Sequence, residues 1–215
     1  MEFNTILFDL DGTLTDPKIG ITKSIQYALA KFDIEVKDLD ELEPFIGPPL
    51  NQSFKEFYSF DEVQTKEAVS FYREYFSEKG LYENQLYDGI VDLLEELTKQ
   101  NKQLYVATSK PTFFAEKILE HFEMKKYFHY IGGSNLDGTR QDKAEVIQHV
   151  IEQENLDIDD IVMIGDRKHD LIGAEKNGVA SIGVGYGYGS KQELTDCKPT
   201  YYVETVKELL EVLAS

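Results

Sequence analysis

The chain has a single cysteine, Cys197, in 215 residues. That excludes an internal disulfide framework and favours a reducing compartment. No stretch approaches the ~18 uninterrupted apolar residues of a membrane span. Met1 to Asp9 is too short and too acidic for a secretory signal, so a cytoplasmic protein that does not engage membranes is expected. Positive charge is scarce too: 22 Lys and Arg stand against 40 Asp and Glu, for a formal charge of −18. Such a surface repels the phosphates of nucleic-acid polymers and anionic bilayers, and neither is an expected partner. Small phosphorylated molecules escape this exclusion. They need only a local basic pocket or a bound cation, because bulk charge is screened beyond ~10 Å. Internal repeats are absent, and the only biased segment is Gly183-Val184-Gly185-Tyr186-Gly187-Tyr188-Gly189. The length suffices for a full core and for one domain with an insertion; oligomeric state has no signal.

Strand-like runs recur at Thr5 to Asp9, Gln103 to Ala107, Ile161 to Gly165, Ala180 to Val184 and Tyr201 to Val203, with a weaker one at Phe128 to Ile131. Helical patterns separate most of them. Tyr87 to Gln100 carries Ile90, Leu93, Leu94 and Leu97 on one face, and Thr112 to Glu123 carries Phe114, Ile118, Leu119 and Phe122. Gln141 to Glu154 and Asp170 to Asn177 continue the alternation. Strands alternating with helices predict an α/β fold with a Rossmann-like parallel sheet covered on both faces. Ligands in such sheets bind beyond the carboxyl ends of the strands. Between Thr15 and Glu83 the pattern is helical only, with Ile21, Ile25, Ala28, Leu29 and Phe32 at helical spacing and further apolar sets after them. The expected organisation is a catalytic core over 1–14 and 84–215 and a helical cap over 15–83.

Asp9-Leu10-Asp11-Gly12-Thr13 follows the apolar run Thr5-Ile6-Leu7-Phe8. With a side-chain period of two, Asp9 and Asp11 leave the strand pointing the same way. Two carboxylates that close repel unless a cation lies between them or one keeps its proton. One could then attack an electrophile while its neighbour handles protons. Gly12 permits a turn, and Thr13 offers a hydroxyl and an amide to an anion. A strand ending in a plain acidic turn is the competing interpretation. Thr108 and Ser109 place hydroxyls where a strand meets a helix, as an oxyanion site or simply as a helix cap. Lys143 opens a helix, and taken alone it reads as a solvated lysine. Ile161-Val162-Met163-Ile164 leads into Gly165-Asp166, with Asp170 one helical turn on; if that segment begins a helix, Asp166 and Asp170 share a face. An acidic helix start explains Asp170 but not Asp166.

The order of these pieces resembles the haloacid dehalogenase-like superfamily of phosphatases over essentially the whole chain, helical cap included. The resemblance implies Asp9 as nucleophile, Asp11 as general acid/base, and Gly12, Thr108, Ser109 and Lys143 around the phosphate. It implies Mg²⁺ held by Asp9, Asp11 (through its carbonyl), Asp166 and Asp170, with Asp170 either in the metal shell or orienting Lys143. Asp16-Pro17, Gly47-Pro48-Pro49-Leu50, Thr108-Ser109-Lys110-Pro111, Gly165 to Asp170 and the glycine-tyrosine stretch look like the phosphoglycolate phosphatase-like or 5′-nucleotidase-like branch. The expected activity is Mg²⁺-dependent hydrolysis of a small phosphorylated metabolite through an aspartyl-phosphate. Lys18, Lys23, Gly47, Pro48, Pro49 and Leu50 are the cap's candidates for substrate choice. A sugar-phosphate mutase or phosphotransferase differs only in the fate of the intermediate. A receiver-like phosphoacceptor is disfavoured by Asp11, which would hasten loss of the phosphate, and by the cap. An acid at position 11 argues against a dehalogenase, and the glycines at 183–189 lack the spacing of a dinucleotide fingerprint.

Overall fold

The structure, a computed structural model, describes residues 3–214. Its strands are β1 (Thr5–Phe8), β2 (Thr15–Asp16), β3 (Gln85–Leu86), β4 (Gln103–Pro111), β5 (Tyr130–Ser134), β6 (Ile161–Gly165), β7 (Ala180–Val184) and β8 (Tyr201–Val203). Its α-helices are α1 (Lys18–Ala30), α2 (Leu50–Tyr58), α3 (Glu62–Tyr75), α4 (Ile90–Lys99), α5 (Thr112–His121), α6 (Lys143–Glu154), α7 (Lys168–Lys176), α8 (Lys191–Asp196) and α9 (Val206–Leu213). The chain forms two compact units, one running to Asp16 and resuming at Leu86, the other Pro17–Gln85. Thr15 stays with the first unit because the Gly12 amide donates to its carbonyl at 2.8 Å, and Leu86 is followed by Tyr87, whose amide donates to Leu14 at 3.4 Å.

The first unit is an α/β core built on a six-stranded sheet in the order β5-β4-β1-β6-β7-β8. Every described pairing in it is parallel. All four residues of β1 are buried, as expected for a central strand covered on both faces. After β1 the chain moves toward β4 and β5, then crosses to β6 on the other side of β1. That reversal makes the carboxyl ends of β1 and β6 the switch point, where such sheets bind ligands. Leu7, Tyr105, Ala107, Ile161 and Met163 form one core with Val146, Ile147 and Val150 of α6 and with Ala174. Burying each large aliphatic side chain contributes roughly 1.5–3 kcal/mol. The apolar face of α6 is therefore firmly seated, and it carries Lys143 at the helix start.

The second unit is helical. α1 lies against α3, and Phe45, Phe54 and Phe60 form an aromatic centre with ring centroids 5.2 Å (Phe45–Phe54) and 5.8 Å (Phe54–Phe60) apart. Asp61 caps α3, accepting from the amides of Val63 and Gln64 at 2.8 Å, and Gln64 reciprocates to the Asp61 amide at 3.1 Å. Among the described residues no helix is long and apolar enough to cross a membrane.

Candidate active site

Asp9 lies one residue past β1. Its amide still donates to Ile164 at 2.9 Å, so the ladder holds the backbone there. The chain then folds into a tight turn, with Leu14 and Thr15 both donating to Leu10 at 2.9 and 3.0 Å. Gly12 has φ +83°, which a side chain would strain. A Cβ there would also meet the Asp166 Cγ at 2.5 Å. The Thr13 hydroxyl is turned inward and donates to Asp166 Oδ1 at 3.3 Å.

Two buried lysines divide the acids between them. Lys143 Nζ is 2.8 Å from Asp9 Oδ1 and 2.8 Å from Asp170 Oδ1, and it donates to the Ala107 carbonyl at 3.0 Å. That Asp170 oxygen is buried, and Lys143 meets it as an ion pair. Lys143 is 4% exposed, so the solvated-lysine interpretation is excluded. Lys110 Nζ lies 2.8 Å from Asp11 Oδ2. Lys110 lies in the Thr108-Ser109-Lys110-Pro111 motif, but the motif alone does not place it in the site. The available signal was strand alternation, which puts Lys110 on the same side as Thr108.

Two local expectations need correction. β4 continues to Pro111, with its register against β5 shifting between Ala107 and Pro111, and α5 begins only at Thr112. Thr108 and Ser109 thus lie in the irregular end of a strand rather than at a helix start. Thr108 is buried and its hydroxyl accepts from the Lys110 amide at 3.3 Å; the Ser109 carbonyl accepts from the Ser134 hydroxyl at 2.8 Å. Asp166 and Asp170 do not share a helix face either. Arg167 is extended (φ −124°, ψ 154°) and α7 starts at Lys168. The two acids meet because Gly165 has no Cβ, which would otherwise overlap the Asp170 side chain. Asp170 also caps α7, its Oδ2 accepting from the Arg167 amide at 3.0 Å.

Asp9, Asp166 and Asp170 offer carboxylate oxygens that all lie within 4.8 Å of one another, each residue buried. At that separation and an effective dielectric near 20, each ionised pair repels by at least ~3 kcal/mol. Burial and the charges of Asp170 and Asp9 push the Asp166 carboxyl well above the ordinary carboxylate range. Burial raises Asp170 to about 6 despite Lys143. Lys143 is held protonated by Asp170 and Asp9 against the opposing effect of its own burial. Including Asp11, four buried acids face two buried lysines. With all four ionised the deficit would be two positive charges, and an all-oxygen donor set of this kind fits a hard divalent ion such as Mg²⁺. The Asp11 carboxylate is outside the cluster. Its Oδ1 is buried and accepts no hydrogen bond, and burial raises its pKa even beside Lys110.

In the helical unit Lys18 pairs with Asp40 at 2.7 Å and with Glu43, and Lys23 pairs with Glu83 at 2.6 Å. Gly47 turns the chain with φ +104°, and Pro48 and Pro49 lead into α2, which opens at Leu50.

A family model described as haloacid dehalogenase-like hydrolase matches residues 6–184. A Pseudomonas aeruginosa protein named 5′-nucleotidase is 54% identical over 215 residues, covering 100% of this chain and 97% of that one. A Mycobacterium tuberculosis protein named tyrosine-protein kinase PtkA is 36% identical, covering 97% of this chain and 72% of that one. The crystal structure of a protein described as a predicted phosphatase from Clostridium acetobutylicum superimposes with TM-score 0.97 at 51% identity, covering 100% and 99% of the two chains. With matches of this extent, the chain belongs to the haloacid dehalogenase-like hydrolases and is a phosphatase of that family.

Proposed function

We propose that this protein is a cytoplasmic, Mg²⁺-dependent phosphomonoesterase for a small metabolite of the phosphoglycolate or nucleoside 5′-monophosphate type, working through an aspartyl-phosphate on Asp9. The observation that carries the reading is the asymmetry of the two leading acids. Asp9 is clamped by Lys143 at 2.8 Å, while the neighbouring Asp11 keeps a buried oxygen without a hydrogen bond and a raised pKa. An oriented carboxylate beside a proton-carrying one is what a nucleophile and its acid/base require. Asp9, Asp166, Asp170 and the Asp11 carbonyl would hold Mg²⁺, which supplies positive charge to the phosphate oxygens when bound. An Asp9 oxygen attacks phosphorus; Asp11 gives its proton to the leaving oxygen and then takes one from the water that cleaves the acyl phosphate. Lys143, Thr108, Ser109 and the backbone amides near Gly12 neutralise and orient the transferring group.

Asp11→Asn tests this directly. It removes the base but keeps the shape, so hydrolysis of the intermediate should suffer more than its formation from an activated aryl phosphate. Rapid-quench mass spectrometry should find phosphorylated Asp9 accumulating in Asp11→Asn and scarce in the unaltered protein. A stable adduct in the unaltered protein would support a phosphoacceptor instead.

The substrate class draws support from relatives named 5′-nucleotidase and phosphoglycolate phosphatase. The cap residues Lys18, Lys23 and Gly47 to Leu50 are the proposed selectors. On a panel of phosphoglycolate, nucleoside monophosphates and sugar phosphates with Mg²⁺, Pro49→Ala should reorder the substrates; a uniform change would remove the loop from that role. The relative named a tyrosine kinase favours a second reading, phosphoryl transfer to an acceptor other than water. Phosphate appearing on a sugar or phenol hydroxyl in preference to water would establish it.

A further inference from the structure

The glycine-tyrosine segment after β7 is the one sequence feature that the chemistry above leaves unused. None of Gly185, Gly187 and Gly189 has positive φ, so backbone freedom does not explain the alternation. Space does. A Cβ on Gly187 would overlap the Gly12 carbonyl and the Asp166 Cβ and sit 2.6 Å from Asp166 Oδ2, and one on Gly189 would overlap the Asp166 carbonyl. Only a backbone without side chains can close so tightly on Asp166. Between the glycines, the Tyr188 amide donates to Asp166 Oδ2 at 2.9 Å. The Tyr186 hydroxyl donates to the Thr13 carbonyl at 3.1 Å, and the Tyr188 hydroxyl donates to Asp16 Oδ1. Thr13 in turn donates its own hydroxyl to Asp166 Oδ1 at 3.3 Å. Both oxygens of Asp166 are thus gripped, one by the glycine-tyrosine turn and one by the turn after Asp9, and Tyr186 links the two turns.

We propose that the Gly185–Gly189 turn is the positioning element that aims the Asp166 carboxylate at the divalent-cation site it forms with Asp9 and Asp170. The glycines at 187 and 189 exist to let the Tyr188 amide reach that carboxylate. This rests on the reading of Asp9, Asp166 and Asp170 as metal ligands. Hydrogen bonds to a ligating carboxylate fix its orientation, and losing one typically weakens metal binding about 10–100-fold.

The test is calorimetric titration of Mg²⁺ into metal-free full-length protein without substrate, beside melting curves in chelator. Gly187→Ala should weaken Mg²⁺ binding about 10–100-fold. Gly185→Ala, whose Cβ would meet the Tyr202 phenol rather than Asp166, should stay within about threefold while lowering the melting temperature. Thr13→Val adds no heavy atom and decides the matter if Gly187→Ala fails to fold; about tenfold weaker binding is expected. Wild-type Mg²⁺ affinity in Thr13→Val and in folded Gly187→Ala, with affinity lost in Asp166→Asn, would overturn the proposal and leave the metal site standing. Equal losses in Gly185→Ala and Gly187→Ala would also overturn it, since the whole loop rather than its contact with Asp166 would then be at work. Unchanged Mg²⁺ binding in Asp166→Asn itself would refute the metal reading and this proposal with it.

Discussion

The α/β unit and the helical unit, the proposed core and cap, each hold lysine-carboxylate pairs of nearly the same length, and the two sets do different things. Lys143 and Lys110 meet their acids at 2.8 Å with lysine side chains 3% and 6% exposed. Lys23 and Lys18 meet Glu83 and Asp40 at 2.6 and 2.7 Å, with lysine side chains 38% and 28% exposed. Pairs in water contribute about 0–1 kcal/mol. Removing one partner of a buried pair costs about 3–5 kcal/mol, because a desolvated charge is left behind. Distance alone therefore does not identify a functional lysine. What separates the sets is enclosure: Lys143 and Lys18 are each shared by two acids, but the Lys143 side chain is 3% exposed and that of Lys18 28%.

The largest effect should come from Asp9, the proposed nucleophile. Asp9→Asn is expected to lower turnover by several orders of magnitude while the fold survives, since it removes a charge at a strand end and keeps the side chain's volume. Withdrawing Mg²⁺ with a chelator should give a comparable loss that added Mg²⁺ reverses. Phosphate release near the normal rate from folded Asp9→Asn or from chelated enzyme would sink the assignment. Next comes Lys143→Ala, expected to cost about 10²-fold or more in rate, as for other preorganised electrostatic contacts. A loss below threefold would make Lys143 a structural cation only.

Much of this was legible beforehand, for identifiable reasons. β6 and β7 fall where their apolar runs predict, because near-continuous burial imposes one pattern on the interior strands of a parallel sheet, and the edge strand β8 matches its run with only Val203 buried. Polar ends were harder. β4 outran its apolar run by four residues, since Thr108 to Pro111 are held by the β5 edge and by side chains, not by hydrophobicity. The role of Lys110 was hidden for the same reason: its partner, Asp11, is 99 positions away in sequence and meets it only through the β1-β4 pairing. The glycine-tyrosine turn was visible as a bias, but its meaning depends on Asp166, which another strand delivers.

Charge imbalance also predicts a sign. Ionised Asp166 is repelled by Asp9 and Asp170, so at a pH high enough to ionise it Asp166→Asn should melt higher in chelator than the unaltered protein. A gain of ~1 kcal/mol would appear as roughly 2–4 °C in a chain this size. The same variant should lose the stabilisation that Mg²⁺ gives by binding only the folded state. Lys143→Ala should move the other way, melting lower, because Asp9 and Asp170 then face each other unpaired. If Asp166→Asn melts lower in chelator, the acids are not in net repulsion and the electrostatic case for a cation weakens.

The smallest effects should belong to the cap lysines, and they test the comparison from its other end. Lys23→Ala deletes a partly exposed ion pair with Glu83, so the expected stability loss is under about 1 kcal/mol. The loss should shrink further at high salt, where the Debye length falls to about 3 Å at 1 M. Lys18→Ala should behave alike, because Asp40 and Glu43 already take up its charge and become free to be solvated. On a small aryl phosphate, which offers a cap little to recognise, both variants should retain activity within about threefold. On a substrate that Lys18 or Lys23 selects, KM should rise while kcat holds, the mark of an interaction made equally in ground and transition states. A fall in kcat on the aryl phosphate comparable to that of Lys143→Ala would erase the distinction between the two sets and put a cap lysine beside the reacting phosphate.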